Sequence, residues 1–448
     1  MNQNNLQKAI NNQFEGRNIV VSDSGDGTYN VSCLDTLRDY IISNNVVVEI
    51  INYNEYFDKA IAQIINGKTI YAIDKNGNNV NMNNWEFCYD SQTNGYALND
   101  EEVLNNSEYG GTNETRIRNK GYLGGYNEET GEITESIPMY IREENGNWLP
   151  VTSMYNTFYN CTDLKKAPEI PNTVTCMWST YQECTNLQEG KVSGCSKNLW
   201  NCFMGCTNLV TSPFLPDSVE NMMQIFYNCT SLTSINEFPE NVTNLNGAFQ
   251  NCTNLEYVGT IKDKVIDMGN AFFHCTKLKK ITNIGKNVIT LAHTFEQCSN
   301  LIEAPIIEDK VIDMEATFSG CSSLIEAPEI PEGVKIMRST FNGCSNLIKP
   351  PSMIPETVIN MISTFWNCNR LEGILKINAN LTSKIAEDTE NKGIVGKTYY
   401  NECFTGASIK GEGLVISTTN LQLKENEYEI LKNIVNTKSY SSNITIQY

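Results

Sequence analysis

From about residue 151 the apolar positions recur in one fixed order: Val, Met, Phe, Cys and Leu at offsets 0, 3, 7, 10 and 13. The order is clearest in Val311, Met314, Phe318, Cys321 and Leu324. It returns one repeat later in Val334, Met337, Phe341, Cys344 and Leu347, and the same set is seen in Phe158, Cys161, Leu164 and in Phe226, Cys229, Leu232. Ten cysteines mark the repeat (Cys161, Cys184, Cys206, Cys229, Cys252, Cys275, Cys298, Cys321, Cys344 and Cys368), and successive ones lie 22 to 24 residues apart. A fixed period of about 20–30 residues predicts a solenoid, which offers a long regular face rather than a catalytic pocket. Met314, Phe318 and Cys321 fall at i, i+4 and i+7, which predicts a short helix in each repeat. Thr or Ala precedes most of the Phe residues, as in Thr157, Ala248, Ala271, Thr294, Thr317, Thr340 and Thr364. Met gives way to Leu at Leu199, Leu245 and Leu291, and Phe to Tyr at Tyr181; such exchanges mark volume-conserving core positions. The segment after each Leu, such as Leu324–Pro331, is extended and bounded by proline, which stops helix growth.

Outside the repeats the pattern changes. Leu34, Leu37 and Ile41 predict an amphipathic helix over 33–42, and 56–65 predicts a second, stopped by Asn66-Gly67. Val46–Ile51 reads as a buried strand and Lys68–Ile73 as another, followed by a hairpin turn at Asp74-Lys75-Asn76-Gly77-Asn78. Residues 90–130 read as loops, and 137–151 as a hairpin turning at 144–147. Toward the end, 399–403 reads as a degenerate eleventh repeat, 414–417 and 444–446 as closing strands, and 425–435 as a helix. The expected fold class is therefore α+β: a solenoid of about ten repeats over 151–377, an N-terminal α/β attachment module over 1–150 and a C-terminal cap over 378–448.

The net charge of −19 argues against nonspecific binding to nucleic acid or to an anionic membrane. No stretch approaches the roughly 18 apolar residues that span a bilayer. The start lacks a basic segment followed by an apolar core, so no secretory signal is expected and the chain folds in a reducing compartment. Ten cysteines at one small apolar position fit a reduced thiol ladder better than disulfides. The others (Cys33, Cys88, Cys176, Cys195, Cys202 and Cys403) show no paired zinc spacing. Cys176, Cys184, Cys195, Cys202 and Cys206 do cluster around an irregular third repeat, where Ser196 replaces Val; a local irregularity is favoured over zinc. No metal and no cofactor is expected. The only two histidines, His274 and His293, occupy different repeat offsets, which disfavours a nucleophile–histidine site. Recurring acids such as Glu303 and Glu326 read as a polar face rather than an acid–base pair, and there is no phosphate-binding or dinucleotide motif. Asp23–Gly27 and Asp74–Asn78 read as turns before calcium loops.

The unit Phe-x-x-Cys-[Ser/Thr]-x-Leu, repeated every 23 residues and matched by Phe341-Asn342-Gly343-Cys344-Ser345-Asn346-Leu347, resembles the BspA-type leucine-rich repeats. Met in place of Ile before the Phe, as at Met361 and Phe365, is similar to related surface-protein repeats. The resemblance covers about residues 150–375. It implies a curved solenoid and a surface protein of bacteria or some protists that binds host or matrix components. It does not name the ligand.

The expected binding surface is the concave strand face, at the residues that follow each repeat Leu: Lys165, Lys166, Glu189, Glu256, Tyr257, Lys279, Lys280, Glu303, Glu326 and Lys349. The lysine pairs suit an anionic glycan or protein patch, and Tyr257 suits stacking on a sugar. The functional expectation is a noncatalytic display protein. A phage virion appendage docked through the N-terminal module comes first, then a bacterial surface adhesin, then a cytoplasmic scaffold. The partners are a virion or cell-surface structural protein at the N-terminal module and a bacterial or host surface glycan or protein at the solenoid.

Overall fold

The computed structural model describes residues 57, 60–99, 121–144, 146–379, 402–410, 413–417 and 444–447, and the backbone of strands over 19–23, 28–33, 38–43 and 46–52. The expected helix over 425–435 lies outside them. Two compact units are formed: an N-terminal unit of 1–202 with 213–219, and a C-terminal unit of 203–212 with 220–448.

The N-terminal unit opens with four antiparallel strands in sequence order, β1 (Ile19–Asp23), β2 (Thr28–Cys33), β3 (Arg38–Ser43) and β4 (Val46–Asn52). The strand expected over Val46–Ile51 is β4. The helix expected over 33–42 is not formed, because Cys33 closes β2 and Arg38–Ser43 is β3. The short step from Ser43 to its partner Val46 explains the difference: two residues between paired strand ends fit a hairpin, and the run Tyr40-Ile41-Ile42, one aromatic and two β-branched residues, suits a strand.

A second sheet has the order β5 (Gln63–Ile65), β6 (Lys68–Ile73), β9 (Tyr140–Glu143), β10 (Leu149–Ser153), β8 (Gly95–Ala97) and β7 (Cys88–Asp90). Within the second expected helix Phe57 is helical, but its last residues form β5. Asn66 at φ 49° and Gly67 at φ 81° make the turn of the β5–β6 hairpin, and two successive positive φ values are what a tight hairpin requires. The strand at Lys68–Ile73 and the hairpin near 137–151 are formed as expected. So is the Asp74 turn, in which the Asp74 carboxylate accepts the backbone N–H groups of Asn76 and Asn78 at 2.8 Å.

This sheet leads directly into the first repeat. Strand β8 pairs in parallel with β10, and Ser153, Cys176 and Asn198 continue the pairing as parallel bridges. Leu98 stands where a repeat would place Met: its carbonyl accepts Thr157 Oγ1 at 2.9 Å, as the Met154 carbonyl accepts Thr180 Oγ1 at 2.8 Å. Trp85 and Tyr122 set ring edges against Phe158 at 6.2 and 5.8 Å. A Cβ on Gly121 would sit 2.0 Å from the Leu98 carbonyl, so only glycine lets these backbones meet.

In the C-terminal unit the repeat backbone is a run of turns, and among the described residues the repeats contain no α-helix. Each repeat has two residues with positive φ, one two places after the Met position and one just before the Cys position: Ala316 (50°) and Gly320 (73°), then Ser339 (54°) and Gly343 (74°). Left-handed residues at this spacing interrupt a helix while leaving Met, Phe and Cys on one side. The N–H groups then alternate between their own turn and the next repeat. Thr317 N donates to Met314 O (3.2 Å), Phe318 N to Thr340 O (2.8 Å), Ser319 N to Ala316 O (3.0 Å) and Gly320 N to Asn342 O (2.7 Å). An Asn, Asp or Thr two places after the Val starts most of these runs; Asp313 Oδ1, for example, accepts Glu315 N at 2.8 Å.

Side chains lock adjacent repeats together. Phe203, Phe226, Phe249, Phe272, Phe295, Phe318, Phe341, Phe365 and Phe404 stack in series with centroids 5.3–5.7 Å apart. Phe404 is the ring of the degenerate repeat, and Ala407 stands at its Cys position. Seven cysteines from Cys229 to Cys368 donate Sγ–H to the Phe carbonyl of the preceding repeat at 3.0–3.1 Å. The Cys row is therefore a donor row as well as a packing row. Thr294, Thr317 and Thr340 make the equivalent bond to the preceding Met or Leu carbonyl at 2.8–2.9 Å. Thr317→Val keeps the shape and removes that donor, and is expected to cost about 1 kcal/mol. Urea unfolding should show a lower midpoint with an unchanged slope. Beyond the turns, β13 (Met353–Ile354), β14 (Gly373–Ile377), β15 (Leu414–Ser417) and β16 (Ile444–Gln447) form a parallel sheet that contains both expected closing strands.

Candidate binding surface

The two residues after the repeat Leu point outward, and in most repeats one of them lies at the repeat-to-repeat pairing. In the C-terminal unit β11 (Ser234–Ile235) pairs in parallel with β12 (Tyr257–Val258), and Glu303, Glu326 and Lys349 form successive parallel bridges. Tyr257 is 56% exposed. Glu256 lies 3.8 Å from Lys277, and Lys349 is paired with Glu326. Lys279 and Lys280 are exposed and belong to no strand or bridge. Among the described residues neither lysine has an ion-pair partner, and neither does Glu303.

The apolar neighbours of this row form a feature that the sequence reading missed. Ile302, Ile325 and Ile306 are 45%, 48% and 78% exposed. With Pro305, Pro328, Glu303 and Glu326 they line a recess of about 580 Å³. Ile266, Ile289, Ile312 and Ile359 form a second exposed row, one place after the repeat Val. The signal was present as Ile beside a buried Val, but it reads as core until the turn geometry is known.

In the N-terminal unit Lys166 and Glu189 form a parallel bridge. The two lysines are engaged by the loop before them: Lys166 Nζ lies 3.5 Å from Glu132, and Lys165 Nζ donates to the Glu129 carbonyl at 3.4 Å. The Lys165 stem also covers Gly131, where a Cβ would fall 2.5 Å from Lys165 Cγ. Asp74, Lys75, Glu132, Lys166, Glu189 and Lys191 line a charged recess of about 560 Å³ in this unit. Within it Glu169 holds Lys191 at 2.8 Å and Lys75 at 3.8 Å, and Lys191 lowers the Glu169 carboxyl below its ordinary range.

The ladder residues Phe158, Cys161, Leu164, Phe226, Cys229, Leu232, Phe318, Cys321, Leu324, Phe341, Cys344 and Leu347 are buried. Burial pushes the thiols up, Cys298 to about 12 and Cys252, Cys321 and Cys344 in the same direction, which holds them in the un-nucleophilic thiol form. His274 and His293 turn to Asn251 and Glu296 respectively. Cys195 is partly exposed beside the buried Ser196, whose carbonyl accepts Ser218 Oγ at 2.8 Å. Among the described residues no group of three His, Cys, Asp or Glu side chains is placed to hold a metal ion, and no helix is long and apolar enough to cross a membrane.

A family model described as "BspA type Leucine rich repeat region", in six copies, matches residues 151–224, 200–325 and 293–385, together more than half of the chain. The chain belongs to this family. The recurring core of the BspA-type repeats here is thus the Phe, Cys and Leu ladder, and the outward positions two places after the Leu are what vary between repeats. Proteins of the family are generally noncatalytic and typically lie at the cell surface. Three solved structures are similar to it. A leucine-rich repeat protein from Bacteroides ovatus is 19% identical over 54% of this chain and 85% of its own, with a TM-score of 0.25. The leucine-rich repeat protein of T. pallidum is 18% identical over 55% and 89%, with a TM-score of 0.34. A leucine rich cell surface protein from Faecalibacterium prausnitzii is 20% identical over 71% and 95%, with a TM-score of 0.33. No curated protein matches the chain.

Proposed function

We propose that this BspA-type protein is a noncatalytic binding protein displayed on a bacterial cell surface. In this reading residues 1–150 cap the repeats and hold them to a surface component, 151–377 carry the repeats and 378–448 close them. The ligand is a protein or glycan of an opposing surface. The observation that supports this is the contrast between the two sides of the repeat. Inside, one Phe, one Cys and one Leu recur at nearly every turn. Outside, the equivalent positions are Tyr257, Lys280, Glu303, Glu326 and Lys349. A scaffold with fixed inward positions and varied outward ones carries specificity along a row. The narrower reading, display on a phage particle, is not favoured by the family, and we adopt the cell surface.

The test is binding of the fluorescently labelled full chain to host cells and to immobilised matrix proteins and glycans. We expect saturable binding. The double variant Glu303→Lys/Glu326→Lys should weaken it tenfold or more while leaving the thermal midpoint within a few degrees. Binding that ignores the double variant would remove the row from the site, and sustained product release from a glycan would overturn the noncatalytic reading. Mass spectrometry of envelope fractions and of density-purified phage from the same culture decides the place of display.

A further inference from the structure

The cap contains a second recess, separate from the repeat rows. It encloses about 720 Å³ and is lined by Trp85, Phe87, Tyr89 and Tyr96, with Asn83 and Glu143 among its polar residues. That volume is in the range of small-ligand sites, which combine apolar walls with a few placed polar groups. The hairpin of β7 and β8 builds the aromatic corner, because Tyr89 and Tyr96 are direct cross-strand partners. The ring of Tyr96 meets Tyr89 at 6.4 Å and 85°, and Phe87 at 5.8 Å and 71°. Tyr89 remains 50% exposed, with its hydroxyl donating to Asn94 Oδ1 at 2.9 Å.

One wall residue has an unmet need. Trp85 is only 2% exposed, and its indole N–H has no hydrogen-bond partner among the described residues. An indole nitrogen can only donate. A buried donor without an acceptor is costly and calls for a partner supplied from elsewhere. Aromatic rings, an unanswered donor, an amide and a carboxylate in one recess are the combination that recognises a sugar. The rings cover its C–H face, and the polar groups meet its hydroxyls and ring or acyl oxygens.

We propose that this recess binds a neutral saccharide residue, with Tyr89 and Phe87 covering its C–H face, Trp85 donating to one of its oxygens, and Asn83 and Glu143 bonding its hydroxyls. Lys68 lines the same recess and lies 3.5 Å from Glu143, so with Glu86 the lining keeps a net negative charge that disfavours an anionic sugar or a phosphate. The site is independent of the row formed by Glu303 and Glu326, so the two readings stand or fall separately.

The experiment is saturation-transfer NMR of the full chain with the methyl glycosides of glucose, galactose and N-acetylglucosamine at millimolar concentration. We expect saturable transfer to at least one of them. Tyr89→Ala or Asn83→Ala should weaken it at least tenfold with the thermal midpoint unchanged, and Glu303→Lys/Glu326→Lys should leave it untouched. No saturable transfer to any of the three glycosides, or transfer that survives both cap variants, overturns the proposal. Glycoside binding that persists while surface binding is absent would retire the row reading alone.

Discussion

Phe295→Ala is expected to destabilise the C-terminal unit by about 3–5 kcal/mol, the usual range for removing a buried aromatic ring. The ring is fully buried and lies flat between Phe272, at 5.7 Å and 2°, and Phe318, at 5.5 Å and 10°. The cost belongs at the upper end because the gap cannot close. Phe272 N donates to Thr294 O and Phe295 N to Thr317 O, both at 2.9 Å, and the Phe295 carbonyl accepts Cys298 N and Cys321 Sγ at 3.0 Å each. Those bonds fix the spacing of the repeats whether or not the ring is present. Phe404→Ala, at the end of the stack, should cost less, since only Phe365 faces it. In a repeat array the stability is close to a sum of repeat and neighbour terms. A break in the middle should therefore lower the slope of urea unfolding as well as its midpoint, as the two sides begin to unfold separately. A loss below about 1 kcal/mol for Phe295→Ala would mean that the stack follows the backbone ladder and contributes little of its own.

The ladder was legible because volume leaves few options at a fully buried position. Phe, Cys and Leu recur wherever neighbouring repeats leave the same space, and their period survives exchanges such as Tyr181 for Phe. The helix expected in each repeat was the misleading part. A spacing of i, i+4 and i+7 also arises from turns that alternate right- and left-handed residues. The distinguishing signal lay in the polar positions: Asn, Gly, Ser or His at 270, 274, 293, 320, 339, 343 and 363, all at positive φ. Most of these residues tolerate that region far better than β-branched ones do. Asn66-Gly67 carries the same message in the N-terminal unit, where a hairpin signal reads equally as a helix stop.

The outward rows were legible for a simpler reason: they follow the repeat Leu. What those side chains do was not. Lys165 and Lys166 looked like a free cationic pair, but residues 129–132 return to engage both, and no periodic pattern announces a contact from a non-repeating loop. The aromatic recess was hidden in the same way. Phe87, Tyr89 and Tyr96 meet because β7 and β8 pair, and Tyr96 lies within 90–130, whose composition reads as loop.

The thiol row leads to the second large expectation, a steep loss of stability in mild alkali. In the unfolded chain a cysteine ionises near its ordinary value of about 8.5. In the folded C-terminal unit burial raises seven thiols above it: Cys252, Cys275, Cys298, Cys321, Cys344, Cys368 and Cys403. Between the two values the unfolded state gives up protons that the folded state keeps. The folded state then binds more protons, and stability falls as pH rises. The contribution is fully present below about pH 8.5 and is lost upward through the folded values, which for Cys298 and Cys403 lie at about 12. One unit above the unfolded value each thiol costs about 1.4 kcal/mol, so seven cost on the order of 10 kcal/mol, comparable with the whole stability of a typical domain. Urea midpoints measured under reducing conditions should therefore collapse between about pH 9 and 10. Tyrosine and lysine titrate nearby, so the slope needs a cysteine control. Cys298→Ala/Cys321→Ala lowers stability at neutral pH, yet should flatten its fall with pH by about 2.7 kcal/mol per unit. A double variant with the parent slope would assign the alkaline loss to other groups, and rapid labelling of native protein by a thiol reagent would show that the row is open to water.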